Sequence, residues 1–185
     1  PALALFRESG DLTDAVVAVS RRVPVQIERC EAEELLGMNA RKDQAALERL
    51  AQARINGRWM EEGVSFQDPA SARIGPRVAL ARDVVVGPGV CLEGSVEVGE
   101  GVRIGQGCVL KDCTVGSRTE FRPYCIAEKA RVGAGAKVGP FAHLREGTVL
   151  EDAVHMVYFV EINKVHLKTG AKANHLSYLG DCKVG

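Results

Sequence analysis

Residues 84–110 read VVVGPGVCLEGSVEVGEGVRIGQGCVL, and large aliphatic side chains fall at Val86, Leu92, Val98, Ile104 and Leu110, six residues apart. A helix repeats about every 3.6 residues and a strand about every two, so neither alone yields a period of six. A short strand followed by a turn does, if three such units close a triangular coil and each points one aliphatic inward. The pattern runs outward from this stretch in both directions. Ile74 and Leu80 precede it; Val115, Phe121, Ile126, Val132, Val138, Leu144, Leu150, Met156, Ile162, Leu167, Ala173, Leu179 and Val184 follow. All twenty positions are apolar, four of the nineteen steps are five residues, and glycine comes next in nine cases. Glycine there supplies unhindered backbone at the corner.

The pattern resembles the hexapeptide signature of a left-handed parallel β-helix. Twenty units make just under seven coils, each rising about 4.8 Å and pairing with its neighbours. A β-sandwich with glycine turns would instead space its strands irregularly. Val85, Val90, Cys108 and Ala136 read as apolar members of the outer faces, where copies of the chain would meet.

Glycine also marks where the solenoid begins: four of the 20 lie before residue 75. The main boundary therefore falls near Asp68-Pro69, a dipeptide that interrupts a helix. Upstream, LTDAVVAV (12–19) suits a short helix and VPVQIERC (23–30) a strand, the remnant of an α/β unit. Between Asn39 and Glu62, Leu47, Leu50, Ala51, Ile55 and Trp59 recur at helical spacing with charges between them. This is an amphipathic helix. The expected organisation is thus mainly β, with an α/β remnant over 1–38, a linker helix over 39–66 and the β-helix over 67–185.

Lys+Arg and Asp+Glu are balanced at 24 each, so no global field favours nucleic acid or an anionic membrane. No apolar run reaches the roughly 18–20 residues that span a bilayer, which makes the cytoplasm the default location. The six cysteines form no CxxC pair or zinc spacing and read as reduced, mostly buried small hydrophobes.

Taken in order, GMNAR (37–41), the helix, Asp68-Pro69, the coils, VGPFAHLREG (138–147), FVEINK (159–164) and NHLSYLGD (174–181) resemble one family. It is the bifunctional N-acetylglucosamine-1-phosphate uridyltransferase/glucosamine-1-phosphate N-acetyltransferase family, which supplies UDP-N-acetylglucosamine for the bacterial cell wall. The resemblance covers the chain from about Leu12 and matches the middle of that family only. The nucleotide loop lies upstream in the family, and the coils completing its acetyl-CoA site lie downstream. It implies that His175 is a general base and that Arg145, with Tyr178, binds the sugar phosphate. Glu161 is implied as a nearby polar support. Asn39 resembles an asparagine that helps hold Mg²⁺ and the nucleotide sugar; UTP and acetyl-CoA are the implied co-substrates, and a homotrimer the implied assembly. Asn163 stands at the family's usual lysine, with Lys164 beside it. Val157-Tyr158 stand where Gly-Asn is usual. Without the family's nucleotide loop and coenzyme-binding coils, this chain alone is expected to show little or no acetyl transfer and no uridylyl transfer.

The register supplies geometry independently. His143, Glu161 and Tyr178 should stack in one column of successive coils, and Arg145, Asn163 and Gly180 in the next. Adjacent members of a column are about 5 Å apart. His175 should lie on the adjoining face, above Tyr158. Each residue has a plainer reading: Asn163 as a left-handed turn residue, Asn39 as the N-cap of the helix, the others as solvated polar groups. Two further functions compete, a non-catalytic trimeric module and a zinc carbonic anhydrase-like β-helix. The latter needs three converging histidines, whereas His143, His155 and His166 precede three different corners.

Overall fold

Alternate residues of extended backbone share a face, so each side of the coil, a short strand with the residue before it, can send two side chains inward. The structure, a computed structural model, describes residues 12–24, 26 and 28–185 and shows this arrangement throughout. Three seven-stranded parallel sheets form a solenoid of seven turns, consistent with a left-handed β-helix. The first sheet runs from Ser65–Phe66 to Lys172–Ala173, the second from Arg73–Ile74 to Ser177–Gly180, and the third from Val78–Leu80 to Lys183–Val184. Among the described residues no helix is long and apolar enough to cross a membrane.

Nineteen of the twenty expected inward positions are buried or half-buried, and the other is a correction. Ile126 is 40% exposed, while Ala127 is fully buried and pairs with Leu110 and Leu144. The reason is volume. Phe121 is the buried residue of the preceding strand in the same turn, and a small neighbour leaves room for its ring. With Ala127 inward, all four five-residue steps run from the second sheet to the third.

Val90, Cys108 and Ala136 are corrected too. They lie two residues before Leu92, Leu110 and Val138, so strand alternation turns them inward, and all three are fully buried. Only Val85, one residue before Val86, keeps an outward, half-buried position. The exposed large apolar side chains of the solenoid are instead Tyr124, Ile126, Phe141, Tyr158, Phe159, Leu176 and Tyr178.

Glycine has two separate uses. At Gly116 an added Cβ would sit 2.5 Å from the Ala134 backbone nitrogen of the next turn, so close approach is what demands glycine there. The left-handed backbone lies elsewhere, at the corners. Between the first and second sheets the positive-φ column is Gly89, Gly107, Tyr124, Phe141, Phe159 and Leu176. Between the second and third it is Gly94, Asp112, Lys129, Gly147, Lys164 and Asp181. Bulky residues are rare in this conformation. At the first of these corners they stack, Tyr124 on Phe141 at 5.5 Å and Phe141 on Phe159 at 5.1 Å between ring centroids.

The chain divides into two compact units, Pro1–Asn39 and Ala40–Gly185. In the first, helix α1 spans Leu12–Ser20 as expected. The described residues of 23–30 form no strand, since an isolated extended segment has no partner to take its backbone hydrogen bonds; Val25 and Ile27 lie outside the described residues. In the second unit, helix α2 spans Arg41–Glu61. Its N-cap is Ala40, not Asn39, and the Ala40 N–H donates to the Asp43 carboxylate at 2.8 Å. Trp59 is buried and Ile55 half-buried against the first turn, whereas Ala51 is exposed. Asn56, which apolar spacing does not single out, is buried and donates to the carbonyls of Pro69 (2.8 Å) and Ala72 (3.1 Å). That bond pair ties α2 to the first turn.

Candidate functional site

The second sheet aligns the site. His143 pairs with Glu161, and Glu161 with Tyr178, while Asn163 pairs with Gly180. The expected column is therefore in register on three successive turns. The Arg145 N–H donates to the Ile162 carbonyl at 2.9 Å, which fixes its backbone one turn below Asn163. Contacts then cross between columns: Arg145 Nη1 donates to Glu161 Oε1 at 3.0 Å. Both side chains are about half exposed, so the pair adds little stability and chiefly orients the guanidinium. Only one of its five donors is engaged there, which leaves the rest of the fork for an oxyanion.

Tyr178 lies exposed at the top of this column. Its hydroxyl reaches over Gly180, where a Cβ would come within 3.0 Å of it, so the missing side chain makes room for the phenol. Asn163 is not a left-handed turn residue. It ends the strand Val160–Asn163, and Lys164 takes the left-handed corner at φ 52. The two neighbours consequently face different ways.

His175 stands off this column, near the corner that joins the first sheet to the second, as the register implies. Its ring stacks on Tyr158, centroids 5.5 Å apart and planes 16° apart. The Ser177 hydroxyl donates to its backbone carbonyl at 3.3 Å. The imidazole is exposed, which leaves its nitrogens open to a reacting group.

Several neighbouring contacts were not visible in the spacing. Lys129 Nζ bonds Glu146 at 2.9 Å across adjacent turns, and His143 Nε2 lies 3.6 Å from Glu128. Glu151 accepts from the Thr169 N–H (2.9 Å) and hydroxyl (3.0 Å) and meets His166 at 2.7 Å. These Thr169 bonds, aided by His166, hold its carboxyl below the usual range. A separation of 15 to 18 residues, one turn of the solenoid, is the signal that would have found these pairs.

No three His, Cys, Asp or Glu side chains gather around a common point among the described residues. Asn39 belongs to the first compact unit.

Comparison with known proteins gives relatives for nearly the whole chain. It is 39% identical over 176 residues to the Bifunctional protein GlmU of Ralstonia pickettii (strain 12J), covering 94% of this chain and 39% of that protein. It is 35% identical over 187 residues to the protein of that name from Synechococcus sp. (strain CC9605), covering 100% of this chain and 41% of the relative. The chain thus spans about two-fifths of the length of the curated relatives it matches. No family model matches. Among solved structures, the acetyltransferase domain of PglB from Neisseria gonorrhoeae FA1090 is 14% identical with a TM-score of 0.46, over 66% of this chain and 63% of that one. A perosamine N-acetyltransferase from Caulobacter crescentus is 18% identical with a TM-score of 0.34, over 70% of this chain and 62% of that one.

Proposed function

From the premise that this chain is a homologue of the bifunctional GlmU proteins along nearly all its length, we propose that it forms part of an acetyltransferase acting on glucosamine 1-phosphate. The observation that carries this reading is the pair of registered columns, Glu161 with Tyr178 and Arg145 with Asn163, on the sheet that the corner bearing the exposed His175 leads into. Arg145 binds the sugar phosphate through the donors that Glu161 leaves unused, and Tyr178 and Asn163 contact the sugar phosphate as neutral donors. The amine nitrogen attacks the thioester carbonyl of acetyl-CoA. A C–N bond forms and the C–S bond breaks; His175 takes the ammonium proton and returns it to the departing thiolate. A near-neutral imidazole suits both transfers.

Uridylyl transfer from UTP, with Mg²⁺ and a contribution from Asn39, belongs to the same reading of the whole protein. So does the division into an α/β remnant (1–38), a linker helix (39–66) and a β-helix (67–185). The assembly is a homotrimer, and the exposed apolar column Tyr124, Phe141, Phe159 and Leu176 supports a buried interface. A stable monomer of 19.9 kDa in light scattering would contradict the trimer.

The test is a chimera that joins this chain to the remaining segments of a matched relative. His175→Ala should lower acetyl transfer by about 10²–10⁴-fold, the usual worth of a general base, and leave uridylyl transfer intact. Equal loss of both activities would make His175 a structural residue.

A further inference from the structure

We infer that Tyr158 is a positioning residue for His175, and that the ring column beneath it is the scaffold through which the fold fixes the imidazole. The inference rests on the reading of His175 as the general base. Its ground is the way the rings connect. Tyr124, Phe141 and Phe159 stack face to face on consecutive turns, with planes within 9° of parallel. Tyr158 meets Phe159 edge-on, centroids 6.1 Å apart and planes at 88°. Its face then carries His175, at 5.5 Å and 16°. Five rings thus run unbroken from Tyr124 to the imidazole.

The base of this array is fixed by the backbone. Tyr124, Phe141 and Phe159 sit at left-handed corners (φ 61, 55 and 57), each tied by its N–H to a carbonyl one turn below. His175 has no such anchorage. Its side chain is exposed, and among the described residues the Tyr158 ring is its one aromatic partner. A solvated histidine samples several rotamers, and a base that must meet a substrate amine at about 3 Å is useful in one of them. Aromatic pairs of this geometry favour the stacked state by about two- to twelvefold. Tyr158 contributes a face and not a hydroxyl, since among the described residues its hydroxyl makes no hydrogen bond.

The experiment has a spectroscopic arm and a kinetic arm. In the 185-residue chain, the imidazole carbon-bound protons of His175 should resonate upfield of their position in Tyr158→Ala, because the tyrosine ring current shields them. Tyr158→Phe should retain the shift. Unchanged resonances in Tyr158→Ala overturn the inference. In the chimera described above, Tyr158→Ala should lower kcat by about two- to tenfold with KM unchanged, and Tyr158→Phe should restore it. If His175→Ala abolishes acetyl transfer while Tyr158→Ala retains full kcat, the positioning role is overturned. If His175→Ala retains full activity, the general-base reading fails instead, and with it the catalytic value of the stack. Tyr158 is about half exposed, so its truncation spares the core; an unaltered circular dichroism spectrum confirms this.

Discussion

Exchanging volume within a single turn tests the corrected inward register. Phe121 is 1% exposed and Ala127 0%, and they are the inward residues of consecutive strands in one turn. Phe121→Ala should cost about 3–5 kcal/mol, the usual range for emptying a buried phenylalanine site. Ala127→Leu alone overfills the turn and should cost about 1–3 kcal/mol. Combined, the added side chain of three carbons enters the cavity the ring vacated. At about 0.8 kcal/mol per buried carbon it can return roughly 2 kcal/mol. The double variant should therefore be more stable than Phe121→Ala by about 1–2 kcal/mol, a coupling that contacting residues show and distant ones do not. Urea unfolding followed by circular dichroism supplies all four corners of the cycle. Ile126→Ala is the control: at 40% exposure it should cost less than about 1 kcal/mol. Additive losses in the double variant, or a larger loss from Ile126→Ala than from Phe121→Ala, would refute the register.

The Glu151 carboxylate is held below its ordinary range by Thr169 and His166, so its contribution is complete above the unfolded value and is lost as pH falls through the folded one. Exchange of the Thr169 amide, corrected for intrinsic rate, should accelerate below about pH 4, and Glu151→Gln should remove that pH dependence; a pH-independent rate in the parent chain would count against the clip. Asn163→Lys in the chimera should tighten glucosamine 1-phosphate binding about fivefold, because a charge-assisted bond exceeds a neutral one by about 1 kcal/mol. Unchanged affinity in that variant, with binding abolished by Lys164→Ala, would show that the corner lysine already serves the phosphate.

The solenoid and its column of candidate residues were legible because both follow from one period. Once six residues make a side of the triangle, Glu161 must lie over His143 and Tyr178 over Glu161, and the same count puts His175 above Tyr158. What stayed hidden depends on volume and local conformation. Ile126 looked inward because it is the larger aliphatic, yet the buried ring of Phe121 settles the turn in favour of Ala127. Val90, Cys108 and Ala136 looked outward because one inward residue per unit was allowed where strand alternation gives two. Tyr124, Phe141 and Phe159 occupy left-handed corners against their intrinsic preference, which sequence propensity assigns to glycine or asparagine. The Arg145–Glu161 pair joins two columns diagonally, and no count along one column reveals it.

These same sterics explain why the candidate site is on the second sheet. In the first and third sheets the position after the inward residue is often glycine, and at Gly87, Gly105, Gly116 and Gly133 a Cβ would come within 2.7 Å of an atom in the next turn. A functional side chain cannot be built there. The second sheet escapes this because several of its strands run one residue further, as in Cys91–Glu93, Val109–Lys111, Ile126–Glu128 and Val160–Asn163. The residue after the inward one then stays in the ladder: Glu93 pairs with Lys111, and Lys111 with Glu128. Arg145 and Asn163 stand at the same position on the next two turns, so charge and hydrogen-bonding capacity accumulate along this edge, whereas the other two sheets alternate side chains such as Arg122, Glu151 and Lys168 with glycine there. Glycine returns at Gly180, where the space it leaves is taken by the Tyr178 phenol. The placement of Asn163, the last residue of the four-residue strand Val160–Asn163, is thus a consequence of strand length before it is one of chemistry.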